Sequence, residues 1–341
     1  MQILMIAFFF FFQSFFVGRQ IQECTNPVAS NIIYQSKDGG RSWQDISAGL
    51  PLNFSAQSIY SDVDKLILSH DQGLYRCNTK SAIPNWTQET FLNRPISNVF
   101  KCNGGLYAQH FEEGFYQEIM SSGVWVPVFS NMNVNRLRSI VDAPDGSILL
   151  STDKGIFKST DSGVNWRQVC ADIGVYKIIL GNGVLLGTTN KGLIRSTDSG
   201  EHWEMTLEDG RSMRTVKYLG GRFYAISNWS GTFKEVMANP VLYSNRLSIS
   251  EDNGKTWRRI DENLTPIRFT ITADESKMKA PSINDVEQLG ESLFCSMDNG
   301  IFKSNDLGKT WKMVLPNAGR QSFQFAVSGN VIYAVLVFSG C

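Results

Sequence analysis

Histidine is scarce in this sequence, excess charge of either sign is absent, and closely spaced cysteine pairs are missing. Three histidines in 341 residues leave little material for a His-rich metal centre. Lys and Arg number 32 and Asp and Glu number 32, so the formal net charge is 0 and no overall basic field exists to attract nucleic acid. The six cysteines (Cys24, Cys77, Cys102, Cys170, Cys295, Cys341) form no Cys-x-x-Cys pair, which excludes zinc-ribbon and thioredoxin-type motifs. No phosphate-binding loop, nucleophile elbow or paired His–carboxylate motif appears, so neither a cofactor nor a bound metal is expected. After Gly18 there is no long apolar run, and the mature chain is expected to lack a membrane span.

Residues Ile3 to Val17 are apolar except for Gln13 and Ser14. About 15 residues suit the apolar region of an export signal better than a span of about 20. No Lys or Arg precedes the run, and no small-x-small cleavage site follows it before Arg19, so an uncleaved anchor stays open beside a cleaved signal. The expected division is residues 1–18 as signal or anchor, 19–30 as a tail, and 31–341 as the folded unit. An exported location follows, in which the even cysteine count permits disulfides. The sequons at Asn53, Asn85, Asn228 and Asn263 permit glycosylation where the source glycosylates exported proteins.

Length alone suggests about two domains on a prior of ~150 residues each, but a repeat overrides that estimate. The pattern Ser-x-Asp-x-Gly-x-x-Trp occurs five times. Its copies are Ser36, Asp38, Gly40, Trp43; Ser159, Asp161, Gly163, Trp166; and Ser196, Asp198, Gly200, Trp203. Two more follow at Ser250, Asp252, Gly254, Trp257 and at Ser304, Asp306, Gly308, Trp311. Trp86 and Trp125 fall in the gap between the first and second copies, the latter after Gly123, with most of the motif worn away. Seven tryptophans therefore mark seven units at intervals of 43, 39, 41, 37, 54 and 54 residues. Only the eighth, Trp229, falls off the beat.

The octapeptide resembles the Asp-box, or BNR repeat, of sialidases, sortilin-type receptors, xyloglucan-cleaving hydrolases and photosystem II assembly factors of the Ycf48/HCF136 type. The longer string from Lys154 to Trp166 is most similar to the last two groups. The resemblance covers residues 31 to the end and implies four-stranded propeller blades, with the box as the turn between the third and fourth strands. It also implies that the box residues are structural, because that turn lies opposite the active face of sialidases.

The residues support a blade independently. Leu137–Val141, Ser147–Thr152 and Gly155–Ser159 read as three short strands before the box, separated by turn residues, with Trp166 opening a fourth. Four strands in about 40 residues, repeated seven times, predict an all-β, seven-bladed β-propeller of antiparallel blades. One strand (Asn31–Gln35) precedes the first box, and two (Ser322–Val327 and Val331–Val337) follow the last. The closing blade is therefore expected to combine N-terminal and C-terminal strands, which removes exposed sheet edges. Cys24 and Cys341 flank that seam, either as a disulfide clasp or as two free thiols.

The function is expected on the face opposite the boxes, made by the loops between second and third strands and those between blades. Those interblade loops repeatedly carry arginine: Arg94, Arg136, Arg138, Arg214 and Arg320. Two insertions account for the 54-residue intervals, Asn228–Asn245 with Trp229 and Glu235, and Arg259–Ser282 with Arg268. Arg94, Arg136, Arg214, Trp229, Glu235, Arg268 and Arg320 are the candidate binding residues for a protein or glycan partner, on a chain expected to be monomeric. The Ycf48-like resemblance implies a protein-binding, assembly-factor role. The alternative is a glycoside hydrolase using carboxylates among Asp71, Glu112, Asp153 and Asp298. The Phe/Tyr-Arg-Ile-Pro motif that marks sialidases is missing, and sialidases have six blades. His70 and His110 take similar positions in neighbouring units, and His202 lies in a box turn, where it is expected to be solvated.

Overall fold

A computed structural model describes residues 29–81, 84–119, 121–129, 136–208, 210–228, 246–264, 282–317 and 322–337. Within them 28 strands form seven antiparallel sheets of four strands each. Blade three shows the plan: β11 (Leu137–Asp142), β12 (Ile148–Thr152), β13 (Gly155–Ser159) and β14 (Arg167–Ala171) pair in chain order. The three strands expected before the box agree with these to within a residue, while Trp166 stands just ahead of β14 instead of opening it. Six blades, numbered in chain order, follow this plan. The seventh is closed by β27 (Ser322–Ser328) and β28 (Val331–Val337) pairing with β1 (Ile33–Ser36) and β2 (Gln44–Asp45). Ile33 to Ser36 of β1 lie opposite Val335 to Ile332 of β28, so the ring closes through the expected exchange of chain ends.

The apolar core lies between blades. Seven buried clusters match the seven interfaces; one of them joins Ala143, Leu149 and Ile156 of blade three to Val175, Ile178, Leu185 and Ile194 of blade four. Each fully buried Leu or Ile contributes about 1.5–3 kcal/mol through removal from water. Because every strand offers its side chains to one neighbour or the other, both faces of a blade are apolar, and no blade is buried without the next.

The five octapeptide turns share one hydrogen-bond scheme. Ser159 Oγ donates to Asp161 Oδ1 at 2.7 Å and accepts the Gly163 N–H at 2.8 Å. Asp161 also accepts the N–H of Asn165 at 2.8 Å, and its other oxygen takes the Asn165 side-chain amide at 2.7 Å. The residue just before the tryptophan, left unspecified in the repeat, fills this second role in every copy: Ser42, Asn165, His202, Thr256 and Thr310. The donors of Asn165, with Ser159, hold the Asp161 carboxyl down at about 2, and those of Thr310 do the same for Asp306.

Two consecutive residues of each turn have positive φ, such as Ser162 at 59° and Gly163 at 88°. Glycine also meets a packing need at this position, because a Cβ on Gly163 would lie 2.3 Å from the Phe129 ring of the preceding blade. Each of the five box turns thus packs against the blade before it, as Gly200 does on Leu149 and Gly308 on Ile260.

Candidate functional site

The first strands of the blades line the centre of the ring: β3 (Ser58–Ser61), β7 (Asn98–Cys102), β11, β15 (Val175–Gly181), β19 (Met213–Leu219), β23 (Ile283–Leu289) and β27. They enclose a central cavity of about 360 Å³ to which all seven contribute. In four successive blades the innermost strand contains a register shift near its start. The shifts fall between Leu137 and Ser139, Val175 and Lys177, Met213 and Thr215, and Ile283 and Asp285. The residues left out of the ladder are Arg138, Tyr176, Arg214 and Asn284, and all four line the cavity. A bulge frees a residue from pairing and re-aims its side chain. One backbone irregularity, repeated blade by blade, thus places these side chains around one mouth of the channel, on the face of the interblade loops.

Around that mouth, arginine and aromatic side chains alternate. Arg94 lies over the Tyr116 ring at 5.1 Å and is hydrogen-bonded to Glu113 and to the Tyr116 hydroxyl. Arg136, itself at φ 62°, lies over Phe111 at 5.0 Å. Arg138 spans Phe111 at 5.7 Å and Tyr176 at 5.8 Å while donating to Asp153 at 2.7 Å. Phe111 is 45% exposed despite its size, and Tyr176 is also exposed. The stacked rings hold the guanidinium planes in fixed orientations, which lowers the entropy cost of engaging a ligand.

Deeper in the channel sits a charged group. The Lys217 ammonium donates to Asp285 at 2.8 Å and to Glu287 at 3.2 Å. Burial opposes its charge, but Asp285 and Glu287 outweigh burial and hold the lysine above its usual range. Asp285 is committed further, accepting the N–H groups of Val286 at 2.9 Å and Phe325 at 2.8 Å.

The expected sites fare differently. Arg94, Arg136 and Arg214 all stand on the loop face or at the channel mouth. Trp229, Glu235, Arg268, Arg320, Cys24 and Cys341 lie outside the described residues, as does most of each insertion. The candidate carboxylates are spread over blades one, two, three and six, with separate partners. Asp71 accepts from Gln57 at 3.1 Å, Asp153 pairs with Arg138, and Asp298 takes the Ser282 N–H at 3.1 Å and the Asn284 amide at 2.8 Å. Glu112 is exposed. Asp153 and Asp298 each brace the bulge residue of their own blade.

The histidines have local roles. His70 Nδ1 accepts the Gln72 N–H at 3.0 Å, its ring stacks on Phe54 at 4.5 Å, and burial pushes its pKa down. His110 Nδ1 accepts from Glu112 at 3.2 Å and Glu113 at 3.0 Å. His202 is exposed but bonded to Asp198. Among the described residues no group of three or more His, Cys, Asp or Glu is arranged to hold a metal ion. Cys77, Cys102, Cys170 and Cys295 are free thiols, and burial pushes Cys102 up to about 12. The bulges were not foreseen from the sequence. Their one visible trace is an apolar first residue followed by a long polar or aromatic one, as in Leu137-Arg138, Val175-Tyr176, Met213-Arg214 and Ile283-Asn284.

The arrangement defines a seven-bladed β-propeller with an open central channel and an arginine–aromatic mouth. No family model and no curated protein matches the chain. Solved structures do. It is similar to the extracellular domain of a hybrid two-component system from B. thetaiotaomicron, with TM-score 0.57 and 13% identity over 89% of this chain and 40% of the other. An ancestral GH74 enzyme gives TM-score 0.54 and 12% identity over 84% of this chain and 48% of the other. PorZ, a surface component of the type-IX secretion system of Porphyromonas gingivalis, gives TM-score 0.51 and 9% identity over 86% and 48%. The chain thus spans less than half the length of each, and at these identities the likeness is one of fold. Among the described residues no helix is long and apolar enough to cross a membrane.

Proposed function

We propose that this chain is an exported, non-catalytic β-propeller of the Asp-box type that binds an acidic segment of a protein partner across its loop face. The observation that carries this reading is the alternation of Arg94, Arg136 and Arg138 with Tyr116, Phe111 and Tyr176 across blades two to four. Arginine and aromatic residues dominate binding energy at protein interfaces, and an exposed phenylalanine beside oriented guanidinium groups supplies both anchors. Export is supported by the apolar N-terminal run and by fold neighbours described as an extracellular domain and a surface component. An assembly or scaffold role fits the Ycf48-like style of the repeat.

The test applies the purified chain to arrays of peptides of graded acidity and of glycans, alongside a glycan-hydrolysis screen. Binding to acidic peptides that weakens with salt and falls at least tenfold in Arg136→Ala and Phe111→Ala is the expected result. Binding confined to glycans would replace the protein partner with a sugar. Turnover lost in Asp153→Asn or Asp298→Asn would establish the hydrolase instead.

A further inference from the structure

Among the described residues the carboxylates around the channel are engaged, but two of its cations are not. Asp153 is taken by Arg138, Asp285 and Glu287 by Lys217, and Asp298 by Ser282 and Asn284. Lys177 and Arg214 line the same cavity on adjacent innermost strands, and among the described residues neither side chain has a hydrogen bond or ion pair. Lys177 directly follows the bulge residue of β15, and Arg214 is the bulge residue of β19, so the two stand at neighbouring depths. The neutral polar residues Thr215 and Gln324 share the wall.

We infer that the central channel is a binding site for a small oxyanion, a carboxylate or a phosphoryl group, held between the Arg214 guanidinium and the Lys177 ammonium. The guanidinium fork matches two oxygens of either group, and the ammonium supplies a point charge on the other side. The cavity admits a small ligand but not a folded segment. Its wall shares Arg138 and Tyr176 with the peptide-binding rim, but the inference rests on Lys177 and Arg214, which the rim reading does not use.

The surroundings of Lys177 supply a signature. Burial, helped by nearby Lys217, lowers its pKa to about 8 against the pull of Asp285 and Glu287. Confinement likewise lowers Arg214, against Asp285 and Asp298. Arg138 lines the same cavity but is already paired. An oxyanion beside Lys177 favours its charged form and raises its pKa, so binding near pH 8 must take up protons.

The experiment is calorimetric titration of the full chain at pH 8 and constant ionic strength with inorganic phosphate, succinate or acetate, in two buffers of different ionisation enthalpy. Saturable one-to-one binding of at least one probe is expected, with proton uptake. Lys177→Met should weaken it about tenfold or more and abolish the uptake. Arg214→Gln should weaken it similarly but keep the uptake, and the exposed Lys191→Met should change neither. Phosphate without carboxylate binding would assign phosphoryl ligands, and the converse carboxylates. Absence of saturable binding by all three, or unchanged affinity in folded Lys177→Met and Arg214→Gln, would overturn the inference.

Discussion

Blades three, four and six join their successors through an octapeptide turn, and blade one joins blade two without one. In blade three, Lys158 precedes the box serine and reaches forward to the Ser199 carbonyl of the next turn at 2.9 Å, as well as to Asp145 and Glu201 at 2.8 Å each. Arg195 reaches the Asn253 carbonyl at 2.9 Å and Lys303 the Gly39 carbonyl at 2.7 Å, so three junctions repeat one forward bond. Blade one keeps a cation at the matching place, Arg76 of β5 (Gly73–Asn78). Its acceptor is Glu118, which occupies the position of the box serine in blade two; they meet at 2.9 Å, with Glu89 as a second partner. Glu118 also accepts the Gly123 N–H at 3.0 Å, the role Ser159 plays for Gly163. What the junction needs is a cation reaching an acceptor on the next turn. The octapeptide supplies a carbonyl, and the worn turn substitutes a buried carboxylate.

The two solutions should fail differently. Arg76→Ala leaves Glu89 and Glu118 without a counterion in a buried setting, and a loss of about 3–5 kcal/mol is expected in urea denaturation at pH 7. Equal stability in the variant would mean the triad contributes nothing to the junction. Gly163→Ala in an intact turn must accommodate both the positive φ and the Phe129 ring, and a cost of about 2–3 kcal/mol is expected by the same assay.

Acid also separates the two. The Asp161, Asp198 and Asp306 carboxyls are held below their unfolded values, so their stabilisation is complete above about pH 4 and is lost as pH falls through about 2. Burial raises Glu89, with Arg76 opposing, so its ionisation costs stability as pH rises from about 4.5 through its folded value. Denaturation midpoints from pH 7 to pH 2 should show the low-pH loss flattened in Asp198→Asn, and that change should be absent in Glu89→Gln. The smallest expected effect is a gain. Leu307 holds φ at 56°, where a bulky side chain is strained and asparagine is tolerated. Leu307 also packs against the core between blades five and six, which offsets part of the relief. Leu307→Asn should therefore stabilise the chain by no more than about 0.5 kcal/mol, visible as a slightly higher denaturation midpoint.

The same contrast explains what the sequence disclosed. Five blades were readable from the Ser, Asp, Gly and Trp of the turn, because its φ values and hydrogen bonds admit few residues. Blades one and two were readable only from the spacing of Trp86 and Trp125, since Arg76, Glu89 and Glu118 meet through folding and share no local pattern. The arginines of the loop face were visible as residue types, but their stacking on Phe111 and Tyr176 was not. Nor were the bulges, which arise from register between strands and leave composition unchanged.

The most direct test of the functional account compares the two faces of the ring. Binding of a fluorescent acidic peptide should fall at least tenfold in the loop-face double variant Arg136→Ala/Phe111→Ala. It should stay within twofold of the unaltered chain in the turn-face double variant Arg41→Ala/Lys309→Ala. Equal losses on both faces, or a loss only on the turn face, would contradict it.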